Sequence, residues 1–157
     1  MPLATCSPAA ANLCAVTDQT RSSIAIDAPP AAVMRVIADF DNYPAWVSFL
    51  KHVEVLETDA TGRGIKVRFV LDAGVVADDY ELAYTWSDDG VSWHLIRGTS
   101  IKAMDGSYRL VATENGTDVG YALSIVVDIP LLGVFKRKAE QVLIDTALRA
   151  LKARVET

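Results

Sequence analysis

From Arg21 onward, apolar and polar residues alternate in short runs, each closed by turn-forming residues. Ile24 and Ile26 share one face of a strand over 21–27. Asp27-Ala28-Pro29-Pro30 follows, and a proline in a first helical turn costs little because that amide has no intrahelical partner. A helix is therefore predicted from Pro30 to Ala38, with Val33, Val36 and Ile37 on its apolar face. Residues 39–42 break it, and Tyr43-Pro44-Ala45-Trp46 opens a second short helix reaching Leu50. Six strand-like runs then occupy 51–60, 63–72, 78–87, 91–97, 102–113 and 117–128. Thr61-Gly62, Ala73-Gly74, Asp88-Asp89-Gly90, Gly98-Thr99 and Asn115-Gly116 separate them. Asn-Gly between alternating runs is a strong hairpin signal, since both residues tolerate positive φ. Asn115-Gly116-Thr117 also spells a glycosylation sequon, but the hairpin alone accounts for it. Pro130 ends the last strand, and one helix is predicted over 132–155. Its polar positions, Lys138, Gln141, Asp145, Arg149, Lys152 and Glu156, fall in a narrow arc. The rest, including Phe135, Ala139, Val142, Leu143, Ala147, Leu148, Ala150 and Leu151, is apolar, so the helix is expected to be embraced rather than laid on a surface.

Strand parity sorts the faces. Val67, Phe69 and Leu71 point one way, as do Tyr80, Leu82, Tyr84 and Trp86; Trp93 and Leu95; Met104, Tyr108 and Leu110; and Val119, Tyr121, Leu123 and Ile125. Lys66, Arg68, Glu81, Thr85, Ser92, His94, Asp105, Ser107 and Arg109 point the other way, as in a half-buried antiparallel sheet. Seven strands at ~4.8 Å spacing make a sheet roughly 30 Å wide, whereas one helix is only ~10–12 Å across. A flat sheet would stay uncovered, so this one must curl around the helix while the short helices close one end. The expected fold is α+β: a seven-stranded curved antiparallel sheet wrapped around a long C-terminal helix, with two short helices after the first strand. Whether large side chains fill the concave side or leave a cavity stays open, since the aromatic residues suit either.

The order of elements, Ile26-Asp27-Ala28-Pro29, Asp41-Asn42-Tyr43-Pro44-Ala45-Trp46, Met104-Asp105-Gly106-Ser107-Tyr108 and Lys136-Arg137-Lys138-Ala139-Glu140 resemble the polyketide cyclase/dehydrase branch of the START-like (SRPBCC) superfamily. The resemblance covers residues 21–157 and implies the helix-grip fold. Its motifs are structural, so it constrains chemistry weakly. Members include lipid and polyketide binders, aromatase/cyclases, quinone-binding chaperones and ribosome-associated proteins, and fold alone does not choose among them.

Composition narrows the classes. The 157 residues suit one domain, 51% of them hydrophobic and 22% charged, which excludes a disordered chain. A net charge of −5 argues against nucleic acid held through phosphate neutralisation. Residues 1–20 read as a loosely ordered arm. Its apolar, alanine-rich stretch lacks a basic n-region and carries Pro8 and Asn12, which argues against a signal peptide. Cys6 and Cys14 are the two cysteines, expected as free thiols in a cytoplasmic protein.

The expected ligand-binding wall comprises Trp46 and Phe49 after the short helices; Phe69, Leu71, Tyr80, Tyr84, Trp93, Met104, Tyr108 and Tyr121 on the sheet; and Phe135, Ala139 and Leu143 on the long helix. Arg97 joins it if its strand stays regular, because it shares the parity of Trp93 and Leu95; the competing reading turns it to solvent at the strand end. Tyr43 and Trp46 belong beside the mouth, as gate or as plug. The tyrosines could orient a carbonyl or hydroxyl, or be ordinary core residues. His52 and His94 read as surface residues, and Asp72, Asp78, Asp79, Asp88 and Asp89 as solvated loop residues, so no metal or other cofactor is expected. Lys136, Arg137 and Lys138 could touch an anionic membrane surface or head group transiently, but a solvated charge run is the reading preferred for them. These residues point to a carrier of a small hydrophobic molecule (a lipid, polyketide or isoprenoid quinone). The alternative is a polyketide aromatase/cyclase or dehydratase, with Arg97 and a tyrosine polarising carbonyls. A partner-binding module using the outer sheet face is a third reading.

Overall fold

In the computed structural model the chain is described over residues 19–74, 77–128 and 133–157, the side chains of 133–135 excepted. The arm expected at the N-terminus thus lies outside the described residues up to position 18, and Thr20 already belongs to the first strand. The elements are β1 (Thr20–Ile26), α1 (Pro30–Ala38), a 3-10 turn (Phe40–Asn42), α2 (Tyr43–Trp46), β2 (Leu50–Thr58), β3 (Gly64–Asp72), β4 (Ala77–Ser87), β5 (Gly90–Arg97), β6 (Ile101–Thr113), β7 (Gly116–Val127) and α3 (Gly133–Glu156). The strands form one antiparallel sheet in the order β1-β7-β6-β5-β4-β3-β2. No helix among the described residues is long and apolar enough to cross a membrane.

Pro30 sits at the start of α1, and the Pro29 carbonyl accepts the amides of Ala32 (3.0 Å) and Val33 (3.3 Å). The proline thereby occupies a place where its missing N–H costs nothing. The face of α1 that enters the core carries Val33, Met34 and Ile37. α2 is shorter than the sequence suggests. The Val47 amide closes one turn on the Tyr43 carbonyl at 2.8 Å, Val47 itself is extended, and β2 begins at Leu50.

The β6–β7 hairpin also differs by one position. Thr113 pairs with Gly116, so its two-residue tip is Glu114-Asn115 rather than Asn115-Gly116. Gly116 is required for another reason: a Cβ there would fall 2.1 Å from the Ile26 carbonyl oxygen at the end of β1. The hairpin forms as expected, and its glycine serves a close approach between two backbone segments.

The long helix lies on β1 and β7 and against α1. Ile144, Leu148 and Leu151 are its fully buried contacts. It covers only one side of the sheet, as the width argument requires, and its buried arc is narrower than the sequence implies: Val142 is 57% exposed. Polar side chains staple it along β1. Glu140 receives the Thr20 hydroxyl (2.7 Å) at one end, while Lys152 donates to the Ala25 carbonyl (2.9 Å) and Glu156 accepts the Asp27 amide (2.8 Å) at the other. The rest of the same concave face, over β3 and β4, is covered by aromatic side chains from the short helical segment. Phe40 meets Phe69 and Tyr84 with ring centroids 6.3 and 4.8 Å apart.

Candidate functional site

Between the sheet, α2 and α3 remains an internal hollow of about 90 Å³. Its wall is built by the inward parity positions: Phe69 and Leu71 of β3, Tyr80, Leu82 and Tyr84 of β4, Trp93 of β5, Met104 and Tyr108 of β6, and Tyr121, Leu123 and Ile125 of β7. Tyr43, Trp46, Val47, Phe49 and Leu50 close it from the α2–β2 segment, and Leu143 and Ala147 from α3. Small-molecule pockets usually enclose ~300–1,000 Å³. The aromatic rings therefore take up most of the concave side.

Of the expected wall, Trp46, Phe49, Phe69, Leu71, Tyr80, Tyr84, Trp93, Met104, Tyr108, Tyr121 and Leu143 meet at this hollow. Ala139 is half-buried on α3 but does not border it. The side chain of Phe135 lies outside the described residues. Val47, Leu50, Leu82, Leu123, Ile125 and Ala147 join the wall without having been singled out; three of them already had inward parity, and Ala147 stands one turn beyond Leu143.

Arg97 is on the other side of the sheet. Glu81 pairs with Arg97 and Leu82 with Leu95, so Ile96 is an extra residue, a bulge that reverses the parity beyond it. The Arg97 guanidinium, half exposed, meets Glu81 at 2.6 Å and Asp79 at 3.7 Å. It belongs to an outer charge ladder in which Arg68 grips Asp79 through two bonds (2.9 and 2.7 Å) and reaches Glu54 at 3.4 Å. The Arg68 bond holds the Asp79 carboxyl below its ordinary range. His52 and His94 are exposed, as expected.

Asp78 departs from the expected solvated loop. It is buried, and its carboxylate accepts the amides of Thr99, Ser100 and Ile101 at 2.8–3.1 Å and that of Asp79 at 2.8 Å. It has the inward parity of Tyr80, and it gathers the β5–β6 turn beneath β4. Lys136 is likewise committed, to Glu140 at 2.6 Å, which leaves Arg137 and Lys138 exposed.

The polar character of the hollow comes from tyrosines. Tyr84, Trp93, Tyr108 and Tyr121 form one patch across β4–β7, with centroids 5.6 Å apart for Tyr84–Trp93, 5.5 Å for Trp93–Tyr108 and 4.5 Å for Tyr108–Tyr121. Tyr80 stacks on Phe69 at 5.4 Å. The Tyr43 hydroxyl donates to the Ile37 carbonyl. Among the described residues, the hydroxyls of Tyr80, Tyr84, Tyr108 and Tyr121 have no protein partner, yet no unpaired side-chain polar atom is sealed from accessible space. All four of these tyrosines border the hollow. Burial pushes every one of the phenols above its ordinary value, so they stay protonated and can act as hydrogen-bond donors.

Gly106 gives the patch its shape. A Cβ on it would lie 2.4 Å from two carbons of the Trp93 indole, so the ring can lie across β6 only because no side chain stands there. Gly106→Ala is expected to displace Trp93, lower stability by about 1–2 kcal/mol and shift the tryptophan emission. Denaturant unfolding followed by fluorescence checks both.

Comparison with known proteins agrees with this geometry. The sequence profile described as polyketide cyclase/dehydrase and lipid transport matches residues 17–156. Among solved structures, a START superfamily protein from Mycobacterium smegmatis superposes with a TM-score of 0.82 at 18% identity, covering 88% of this chain and 97% of the other. An aromatase/cyclase from a Streptomyces species gives 0.73 at 15% identity over 88% and 93% of the two chains. A protein from Thermus thermophilus gives 0.73 at 23% identity over 87% and 96%. Such identities establish the shared helix-grip fold. No curated protein matches the sequence.

Proposed function

Because the chain belongs to the polyketide cyclase/dehydrase and lipid transport family, we propose that it binds a small hydrophobic molecule in the hollow between its curved sheet and its long helix. The observation that carries this reading is a set of four tyrosines bordering an otherwise apolar space, their hydroxyls without a hydrogen-bond partner among the described residues. A core evolved only to fill space gains nothing from unpaired hydroxyls, whereas a ligand wall needs a few oriented polar groups on an apolar surface. The hollow is small, so a ligand larger than a few atoms must move part of the wall. Trp46 sits on a single helical turn and is only half-buried, and Met104 is unbranched and adapts its shape readily.

The cyclase or dehydratase alternative keeps one argument in its favour. Phenols held neutral can polarise a carbonyl inside the hollow, although they cannot remove a proton. Arg97 no longer supports it, since its guanidinium lies across the sheet. The test is organic extraction and mass spectrometry of the purified protein, together with titration by an environment-sensitive apolar fluorophore. Saturable binding that quenches tryptophan emission is expected, unchanged in Arg97→Ala. A protein that yields no extractable molecule and binds no apolar probe contradicts the reading.

A further inference from the structure

Every residue bordering the hollow is uncharged. The nearest buried ionisable groups are already used. Asp78 is saturated by backbone amides, and Glu140 accepts bonds from Thr20, Ile125 and Lys136. Arg68 and Arg97 meet carboxylates on the outer face of the sheet. Sequence extends the point to the segments outside the described side chains: residues 1–18, 75–76 and 129–135 contain no Lys, Arg or His. The wall thus offers hydrogen-bond donors from Tyr80, Tyr84, Tyr108 and Tyr121, but no cation.

We infer that the hollow selects an uncharged ring bearing a hydrogen-bond acceptor on its edge, such as an aryl ketone or related oxygenated aromatic, and discriminates against carboxylate lipids. The inference rests on reading the hollow as a ligand site. A carboxylate turned toward the hydroxyls would be an anion buried with neutral donors and no counter-charge, which costs more than burying a neutral carbonyl there. A fatty acid lying the other way round would set its hydrocarbon tail against the hydroxyls and leave them without acceptors. A ring also fits the wall better than a chain. Its faces can pack against Trp93, Tyr108 and Tyr121, whose rings are tilted or edge-on to one another, with its edge oxygen within reach of the phenols.

Three probes of nearly one shape separate the possibilities: para-ethylacetophenone (neutral, one carbonyl acceptor), para-ethylbenzoate (anionic) and para-ethylcumene (hydrocarbon). At neutral pH the ketone is expected to bind at least about tenfold more tightly than the benzoate. Removing hydroxyls while keeping the rings, in Tyr108→Phe/Tyr121→Phe and separately in Tyr84→Phe, should weaken the ketone by roughly three- to tenfold. Both variants should leave the hydrocarbon's affinity unchanged or improved. Thermal melts confirm that they fold. Benzoate binding as tightly as the ketone overturns the inference, as does equal weakening of ketone and hydrocarbon, and either result leaves the ligand site standing. Failure of all three probes to bind removes the ligand site and the inference together.

Discussion

Titrated with alkali, the protein is expected to unfold in one cooperative step at about pH 11–12, with phenolate absorbance appearing only in that step. All five tyrosines of the chain are held above their ordinary pKa by burial, and all but Tyr121 are raised further by neighbouring phenols. In the unfolded chain a phenol ionises near pH 10. Above that value the folded state keeps protons that the unfolded state releases, so stability falls as pH rises, while below it the contribution is complete. Each phenol held neutral lowers stability by about 1.4 kcal/mol per pH unit beyond 10. Five together exceed the ~5–15 kcal/mol of a typical domain within one to two units. Phenolate absorbance and far-ultraviolet circular dichroism followed in parallel provide the check. Stepwise phenolate formation near pH 10 with the fold intact would mean that bulk water reaches the rings, and the hollow could not then be the enclosed, poorly solvated space described above.

The same tyrosines show how far the sequence carries. A period of two places Tyr80, Tyr84, Tyr108 and Tyr121 on the concave face, and the width of seven strands against one helix requires side chains or space beneath them. Parity holds only while a strand is regular. One extra residue, Ile96, turns Arg97 from the ligand wall to the outer charge ladder, and nothing in Trp93-His94-Leu95-Ile96-Arg97 announces the bulge. Val47 reaches the hollow from the segment between α2 and β2, where no helical or strand period applies, and Leu50 from the first position of β2. Asp78 carried a readable signal, its inward parity with Tyr80, but three of its four amide partners lie more than twenty positions away. The volume of the hollow is beyond such reasoning, because it depends on how large rings interlock: Phe69 on Tyr80, and Trp93 over the bare backbone of Gly106.

Glu140→Ala is expected to cost about 2–3 kcal/mol and to lower Tm by about 5–10 °C. In sequence, Glu140 looks like one more charge in the run opening the long helix, and its role depends on contacts remote along the chain. β1 pairs with β7 from Ile26 opposite Thr117 to Thr20 opposite Leu123, and there the strand runs out. The Ile125 amide, two residues further along β7, donates instead to Oε2 of Glu140 at 2.7 Å. Lys136 meets the same oxygen at 2.6 Å, and Thr20 donates to Oε1 at 2.7 Å. The carboxylate, 2% exposed, thus replaces the missing strand and ties α3 to both β1 and β7. Alanine leaves the Ile125 amide buried without an acceptor, which is the larger part of the loss; Lys136 is partly exposed and can turn to water. Glu140→Gln keeps an oxygen for Ile125 and should cost only about 1 kcal/mol. Thermal and denaturant melts rank the three proteins, and amide exchange at Ile125 locates the damage. Ile125 and Leu143 border the hollow on either side of this junction, so a loosened junction also deforms the ligand wall. If alanine proves neutral and Ile125 stays protected, another group must close the end of β1, and the hollow does not depend on this carboxylate for its shape.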